Sequence, residues 1–290
     1  MRRLLDLRRD GLGASLAARL GWPPVEHELR AFPDGESYIR LLSAVDDTEV
    51  TVLADLARPN ARTLELLLVA ATLRAQGARR VTLVAPYLPY MRQDRAFKPG
   101  ESVSSRHFAA LLDAHVDALL TVDAHLHRYA TLDELYTTPA RNLSATALLA
   151  DWVRAHVGQP LLVGPDAESA QWVAAAGAAL GCPWTTLHKE RSGDRRVSVS
   201  GAIAAEHRAR TPVLLDDVIS TGHTLIAGCR VLAAAGMPAP VVVAVHGIFA
   251  DDAYAALRAA GAAHIVTTNS VPHASNAIDL APLLAAALAQ

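Results

Sequence analysis

Residues 213–224 read Val-Leu-Leu-Asp-Asp-Val-Ile-Ser-Thr-Gly-His-Thr, and no other stretch narrows the choice of fold so far. The apolar run lacks strict alternation, which suits a strand buried on both faces of a parallel sheet. It is expected to end in two adjacent carboxylates, Asp216 and Asp217. The turn Ser220-Thr221-Gly222-His223-Thr224 follows, then an apolar helical run over 225–235. Small hydroxylated residues and a glycine at a helix start leave several backbone N–H groups pointing at one spot. Those groups and the helix dipole favour a phosphate there. The acid pair just before the turn is placed to accept hydrogen bonds from vicinal hydroxyls of a sugar on that phosphate. Capping alone would need one such side chain, not five polar residues in register. No Gly-x-x-x-x-Gly-Lys-Ser/Thr occurs in the chain, so this is not a nucleotide-triphosphate loop.

An acid pair followed by Ser-Thr-Gly-x-Thr resembles the fingerprint of the phosphoribosyltransferase fold. The rest of the chain is patterned to match an α/β class. Strands are expected at 51–54, 81–86 and 118–122, with helices over 63–76 and 106–114. The pattern then restarts with a helix over 145–156, a strand at 160–163, a helix over 169–180 and a strand near 184–187. After the phosphate unit come a strand at 241–245, a helix over 251–260, a strand at 264–267 and a helix over 278–289. Strands alternating with helices predict mostly parallel sheets flanked by helices. Two successive sets of similar size predict two tandem, related domains, residues 1–141 and 142–290, joined near 137–142. The last helix is a candidate to pack back on the first domain.

A chain of 290 residues with 51% hydrophobic residues is long enough for two buried cores. A net charge of −2 gives no general attraction to nucleic acid or to an acidic membrane surface. The most apolar later stretch, 231–245, is interrupted by Gly236, Pro238 and Pro240, so no membrane span is expected. Cys182 and Cys229 are the two cysteines, and no signal peptide is legible, so a reducing cytoplasm is the expected setting. Arginine outnumbers lysine twenty-five to two. With so many positions filled by arginine, the surviving Lys98 and Lys189 draw notice as places that need a compact ammonium.

In parallel sheets chemistry collects outside the carboxyl ends of strands. Several polar clusters fall at such ends. After 81–86 comes Tyr87-Leu88-Pro89-Tyr90-Met91-Arg92-Gln93-Asp94-Arg95, where Arg92 and Arg95 have the geometry to clamp phosphates or stack on a base. After 118–122 comes Asp123-Ala124-His125-Leu126-His127, an imidazole beside a carboxylate, suited to a metal or a phosphate-bound magnesium. Gly164-Pro165-Asp166 adds another strand-end carboxylate. Lys189 and Arg191 lie in the polar segment 188–196, whose composition suits a flap that brings cations over a substrate. Phe32-Pro33-Asp34-Gly35-Glu36 by itself specifies only a turn.

Taken in order, these segments resemble the ribose-phosphate pyrophosphokinase family. Six motifs carry the resemblance: Phe-Pro-Asp-Gly-Glu at 32–36, Pro-Tyr-x-x-Tyr-x-Arg-Gln-Asp at 86–94, Asp-x-His at 123–125, Pro-Asp at 165–166, Lys-x-Arg at 189–191, and the cradle at 216–224. The segment Phe97-Lys98-Pro99-Gly100-Glu101-Ser102 is similar to archaeal-type members. The resemblance implies transfer of a diphosphoryl group from ATP to the C1 hydroxyl of ribose 5-phosphate. It also implies that Phe32, Asp34 and Glu36 hold the adenine side of ATP across a subunit boundary of a homo-oligomer, with Arg92 and Gln93 contacting ATP. By the same likeness His125 and Asp166 organise Mg2+, and Lys189 and Arg191 close over the reacting phosphates. Arg191, Asp216, Asp217, Ser220, Thr221, Gly222, His223 and Thr224 then bind ribose 5-phosphate.

The chain departs from the family pattern at Glu168, where a glycine is usual, at Ser220, where common bacterial members carry an acid, and at His223, where a small residue is usual. Two alternatives share parts of this pattern. A transferase consuming phosphoribosyl pyrophosphate would share the cradle but not account for the motifs at 32–36 and 86–94. A non-catalytic regulatory relative would have no need for intact Lys189, Arg191, His125 and both cradle carboxylates.

Overall fold

Short apolar runs separated by helical stretches build two mainly parallel sheets, one in each of two units of the chain. The computed structural model describes residues 1–192, 196–200 and 203–290, with the backbone alone for 168, 171, 188–192 and 196–200. One unit comprises Met1–Leu143 with Leu280–Gln290, and the other Ser144–Asp279. Among the described residues no helix is long and apolar enough to cross a membrane.

In the first unit β1 (Arg2–Asp6) leads through α1 (Leu12–Leu20) to an antiparallel hairpin, β2 (His27–Ala31) and β3 (Ser37–Leu41). There follow β4 (Glu49–Leu53), α2 (Pro59–Ala75), β5 (Arg80–Ala85), α3 (Ser104–Asp113), β6 (Ala118–Val122) and β7 (Ala140–Leu143). The main sheet is parallel in the order β1-β4-β5-β6-β7. Leu66, Val69, Ala70 and Leu73 of α2 are fully buried at i, i+3, i+4 and i+7, one apolar stripe laid on Val50, Val52, Val81 and Leu83 of the sheet. Helix α2 starts four residues before the expected position, because its first turn is polar and opens on Pro59, whose fixed φ suits that place. Residues 140–143, read from sequence as part of a connection, form edge strand β7, which pairs with β6. Its Ala-Arg-Asn-Leu sequence has no apolar run to announce a strand.

The second unit runs α4 (Thr146–His156), β8 (Pro160–Gly164), α5 (Ala170–Leu180), β9 (Trp184–Thr186), and an antiparallel pair, β10 (His188–Ser192) with β11 (Arg196–Ser200). It continues with β12 (Thr211–Ile219), α6 (His223–Ala234), β13 (Val241–Gly247), α7 (Ala253–Ala259), β14 (His264–Thr268) and β15 (Asn276–Ile278). Its parallel sheet has the order β15-β14-β13-β12-β8-β9. All seven residues of β13 are buried, as expected of a strand covered on both faces. Leu225, Cys229 and Leu232 of α6 pack with Leu214, Val242 and Leu257. Cys182 and Cys229 are both free thiols, and burial raises Cys229 to about 11, which keeps it protonated and inert.

The chain runs outward from β8 to β9, then returns to the other side of β8 with β12. Strand order therefore reverses between β8 and β12, the switch point at which open α/β sheets leave a crevice beyond the strand ends.

The expected helix over 278–289 starts three residues late, and its first residue, Ile278, instead ends a strand. Residues 276–278 pair with β14 as β15, and α8 (Ala281–Leu288) begins only after Asp279. The Asp279 carboxylate accepts from Asn269 Nδ2 at 2.9 Å, and Ile278 O accepts from Asn269 N at 3.0 Å, so this segment is tied to the sheet. Helix α8 belongs to the first unit, where Arg2 and Arg141 donate to the carbonyls of Leu288 and Ala287 at 3.2 and 2.8 Å.

Candidate active site

At the switch point of the second unit lie the strand-end acids. Strand β12 does not end at the acid pair but continues through Val218 and Ile219, which pair with His246 and Gly247 of β13. The Asp216 carboxylate accepts from Asp217 N at 3.0 Å. Enclosure of the Asp216 carboxyl raises its pKa well above the usual range, and repulsion from Asp217 and then Asp166 adds to the rise. Asp166 follows β8, the neighbour of β12, so the fold brings three acids into one field from two separated segments. Asp166 also starts a short 3-10 turn over Ala167–Ser169. Its Oδ1 accepts from Ser169 N at 3.3 Å and its carbonyl from Ser169 Oγ at 2.6 Å. The backbone of Glu168 lies in this turn.

Beyond Ile219 the chain turns through Ser220 and Thr221 into α6, with Gly222 at its N-cap and no side-chain cap. Gly222 has φ 70°, the left-handed region that glycine occupies without penalty. A Cβ there would meet Leu257 and Ala253 at 3.4–3.8 Å, ordinary contact on the α7 side. The backbone angle by itself demands glycine. Thr221 and His223 are exposed, and Ser220 and Thr224 are half-buried. The first-turn N–H groups of α6 carry the partial positive charge that attracts a phosphate.

The expected flap residues Lys189 and Arg191 fall on β10, in register with Val199 and Val197 of β11. Their side chains, and residues 193–195 between the strands, lie outside what the structure describes.

In the first unit Phe32-Pro-Asp-Gly-Glu forms the tip of the β2–β3 hairpin. Phe32 N donates to Glu36 O at 2.7 Å, and Glu36 N to Asp34 Oδ1 at 3.2 Å. The Arg30 guanidinium covers both Phe32 and Tyr38 at 4.8 and 4.2 Å, leaving Phe32 39% exposed at the tip. After β5, Gln93 is fixed on both sides. Its side-chain carbonyl accepts from Ser104 Oγ at 2.6 Å, and its main-chain carbonyl from Ser105 N at 3.3 Å. Arg92 is exposed beside it. Arg95 stacks on Phe97 at 4.8 Å, so one of the two arginines read as phosphate or base clamps is occupied within its own loop. After β6 the His125 ring stacks on His127 with centroids 3.9 Å apart. Asp123, with φ 36°, makes the sharp turn that leads there.

Ser104, Arg30 and the loop 247–250 were not singled out in the sequence. Arg30 acts on Phe32 within the same hairpin, whereas Ser104 and the loop reach Gln93, Ile219 and Ser220 from other segments of the chain.

A twin α/β architecture with a phosphate-type cradle at a switch point defines a phosphoribosyltransferase-class protein. The model of the phosphoribosyl transferase domain matches residues 131–274, and that of the N-terminal domain of ribose phosphate pyrophosphokinase matches residues 7–115. Ribose-phosphate pyrophosphokinase of Methanothermobacter thermautotrophicus is 33% identical over 94% of this chain and 95% of its own length. That of Methanosarcina acetivorans is 33% identical over 96% and 95%. Among solved structures, phosphoribosylpyrophosphate synthetase from Mycobacterium smegmatis superposes with a TM-score of 0.86 at 26% identity, covering 99% of this chain and 97% of that one. The chain belongs to the ribose-phosphate pyrophosphokinase family.

Proposed function

We propose that this chain transfers the diphosphoryl group of ATP to ribose 5-phosphate, forming phosphoribosyl pyrophosphate and AMP. The observation that carries the proposal is the acid pair Asp216–Asp217, in the field of Asp166 and followed, through 218–221, by the start of α6, which has no side-chain cap. Carboxylates accept hydrogen bonds from the ribose hydroxyls, and the amides of 220–224 hold the 5-phosphate. The C1 hydroxyl oxygen then bonds to the β-phosphorus and gives up its proton to solvent, while the bond from that phosphorus to the α-phosphate oxygen breaks and AMP leaves with that oxygen. Such a transfer depends on in-line positioning and charge neutralisation more than on a covalent intermediate.

The residues present fit Mg2+. Among the described residues no three His, Cys, Asp or Glu side chains converge as a metal cage. Magnesium needs no such cage, since it keeps several waters and uses one or two carboxylates with substrate phosphates. Asp166 is the oxygen donor for it, in a field already negative enough to raise Asp216. His125 is a nitrogen donor, better matched to a magnesium-bound water or a phosphate oxygen. When bound, the ion offsets phosphate charge.

Arg92 and Gln93 contact ATP, with Gln93 held for the purpose by Ser104. Phe32, Asp34 and Glu36 project at a hairpin tip, a form suited to reaching the nucleotide of a neighbouring subunit in a homo-oligomer. Lys189 and Arg191 neutralise the reacting phosphates, and Arg191 also meets ribose 5-phosphate.

Incubation with ATP, Mg2+ and ribose 5-phosphate, followed by phosphorus NMR, tests the proposal. AMP and a diphosphate attached to C1 are expected in equal amounts. Production of ADP, or reaction only when phosphoribosyl pyrophosphate and a free base are supplied, would overturn it.

A further inference from the structure

Strand β13 ends at Gly247, and the residues beyond it hold the cradle from behind. Ile248 N and Phe249 N both donate to Ile219 O, at 2.9 and 3.0 Å, and Ala250 N donates to Ser220 O at 3.0 Å. A trans peptide is planar, so a carbonyl fixed on one side turns the next N–H to the other. The loop thus directs the N–H groups of Ser220 and Thr221 away from itself.

Phe249 is what gives this loop its shape. Its φ of 46° lies in the left-handed region, an outlying conformation for a bulky side chain that persists only when its surroundings enforce it. The ring meets Tyr254 edge-on at 5.3 Å and His273 at 4.3 Å, and Tyr254 and His273 lie 4.9 Å apart. His273 is itself anchored. Its Nδ1 pairs with Ser275 Oγ at 2.8 Å, and its N–H donates to Asn276 Oδ1 at 2.9 Å. On its other side the Phe249 ring fills the space beside Gly247, where a Cβ would come within 2.5 Å of Phe249 Cε2.

We infer that Phe249 is a positioning residue for the sugar-phosphate cradle. Its ring, packed by Tyr254 and His273 over Gly247, holds the loop that aims the Ser220 and Thr221 amides through the carbonyls of Ile219 and Ser220. The inference deepens the proposed function and rests on the cradle being the ribose 5-phosphate site.

The test is calorimetric titration of ribose 5-phosphate, with steady-state kinetics, on wild type, Phe249→Gly, Phe249→Tyr and Gly247→Ala. Glycine accepts the φ and removes only the ring, whereas Gly247→Ala keeps the ring but pushes on it, most closely at Phe249 Cε2 and then at Thr267. Both should weaken ribose 5-phosphate, in Kd and KM, by about tenfold or more, the scale of a misaligned hydrogen bond to a charged group. KM for ATP should stay near wild type, and Phe249→Tyr should restore ribose 5-phosphate binding. A folded Phe249→Gly that binds ribose 5-phosphate as wild type does would overturn the inference and leave the cradle assignment standing. Failure of wild type itself to bind would remove the cradle assignment and the inference together.

Discussion

The surroundings of Asp216 resist its charge, because enclosure, Asp217 and Asp166 all favour the protonated form. A carboxyl whose folded pKa is raised contributes its stability in full below the ordinary range and loses it as pH rises through the raised value. Asp216→Asn should therefore be more thermostable than wild type at pH 7 without ligand, by about 2–4 °C for each kcal/mol recovered. The gain should shrink as pH falls towards about 4 and vanish below about 3, where the wild-type acid is protonated in both states. Calorimetry across that range checks the sign. A variant less stable than wild type at pH 7 would mean that the charge is already compensated. Asp217→Asn keeps the shape but should raise KM for ribose 5-phosphate more than KM for ATP, which initial-rate kinetics would show. At Gly222 the expected effect of Gly222→Val is loss of sugar-phosphate binding by calorimetry, because a branched residue does not hold φ 70°. If Lys189 stabilises charge between the reacting phosphates, Lys189→Ala should lower kcat by about 10²-fold with little change in ATP affinity. Near-normal kcat in that variant would remove Lys189 from the mechanism.

Elements decide what surrounds those residues. The 3-10 turn over Ala167–Ser169 places Glu168 two residues beyond Asp166, at the end of β8 beside the switch point. If Mg2+ binds at Asp166 as proposed, a nearby extra acid makes the metal requirement stricter, so Glu168→Gly should lower the Mg2+ needed for half-maximal activity. If the variant loses only thermal stability, with an unchanged Mg2+ response, Glu168 serves the helix start and nothing else.

On the scale of the whole molecule, the chain returns to its beginning. Leu284 of α8 is fully buried in the first unit, while the preceding β15 belongs to the second. Leu284→Ala should cost about 2–5 kcal/mol, as fully buried leucines do. Native-state hydrogen exchange should register that loss in β1 and α1 more than in β12 and β13. Uniform loss of protection in both units would show that they unfold as one.

The sequence by itself determined the α/β class, the order of the motifs and the acid pair with its glycine turn. Burial periodicity and turn chemistry are written in neighbouring residues, which is why β6 and most helices lie close to where the pattern puts them. Segments with weak local signals were not legible: the four-residue edge strand β7, the pair β10–β11, and β15 hidden at the start of an apparent helix. Only the tertiary structure decided that Asp166 raises Asp216, that Ser104 holds Gln93 and that Phe249 stands behind the cradle. Each depends on which strands and helices become neighbours. Sheet order and long-range packing set that choice, and no spacing along the chain encodes it.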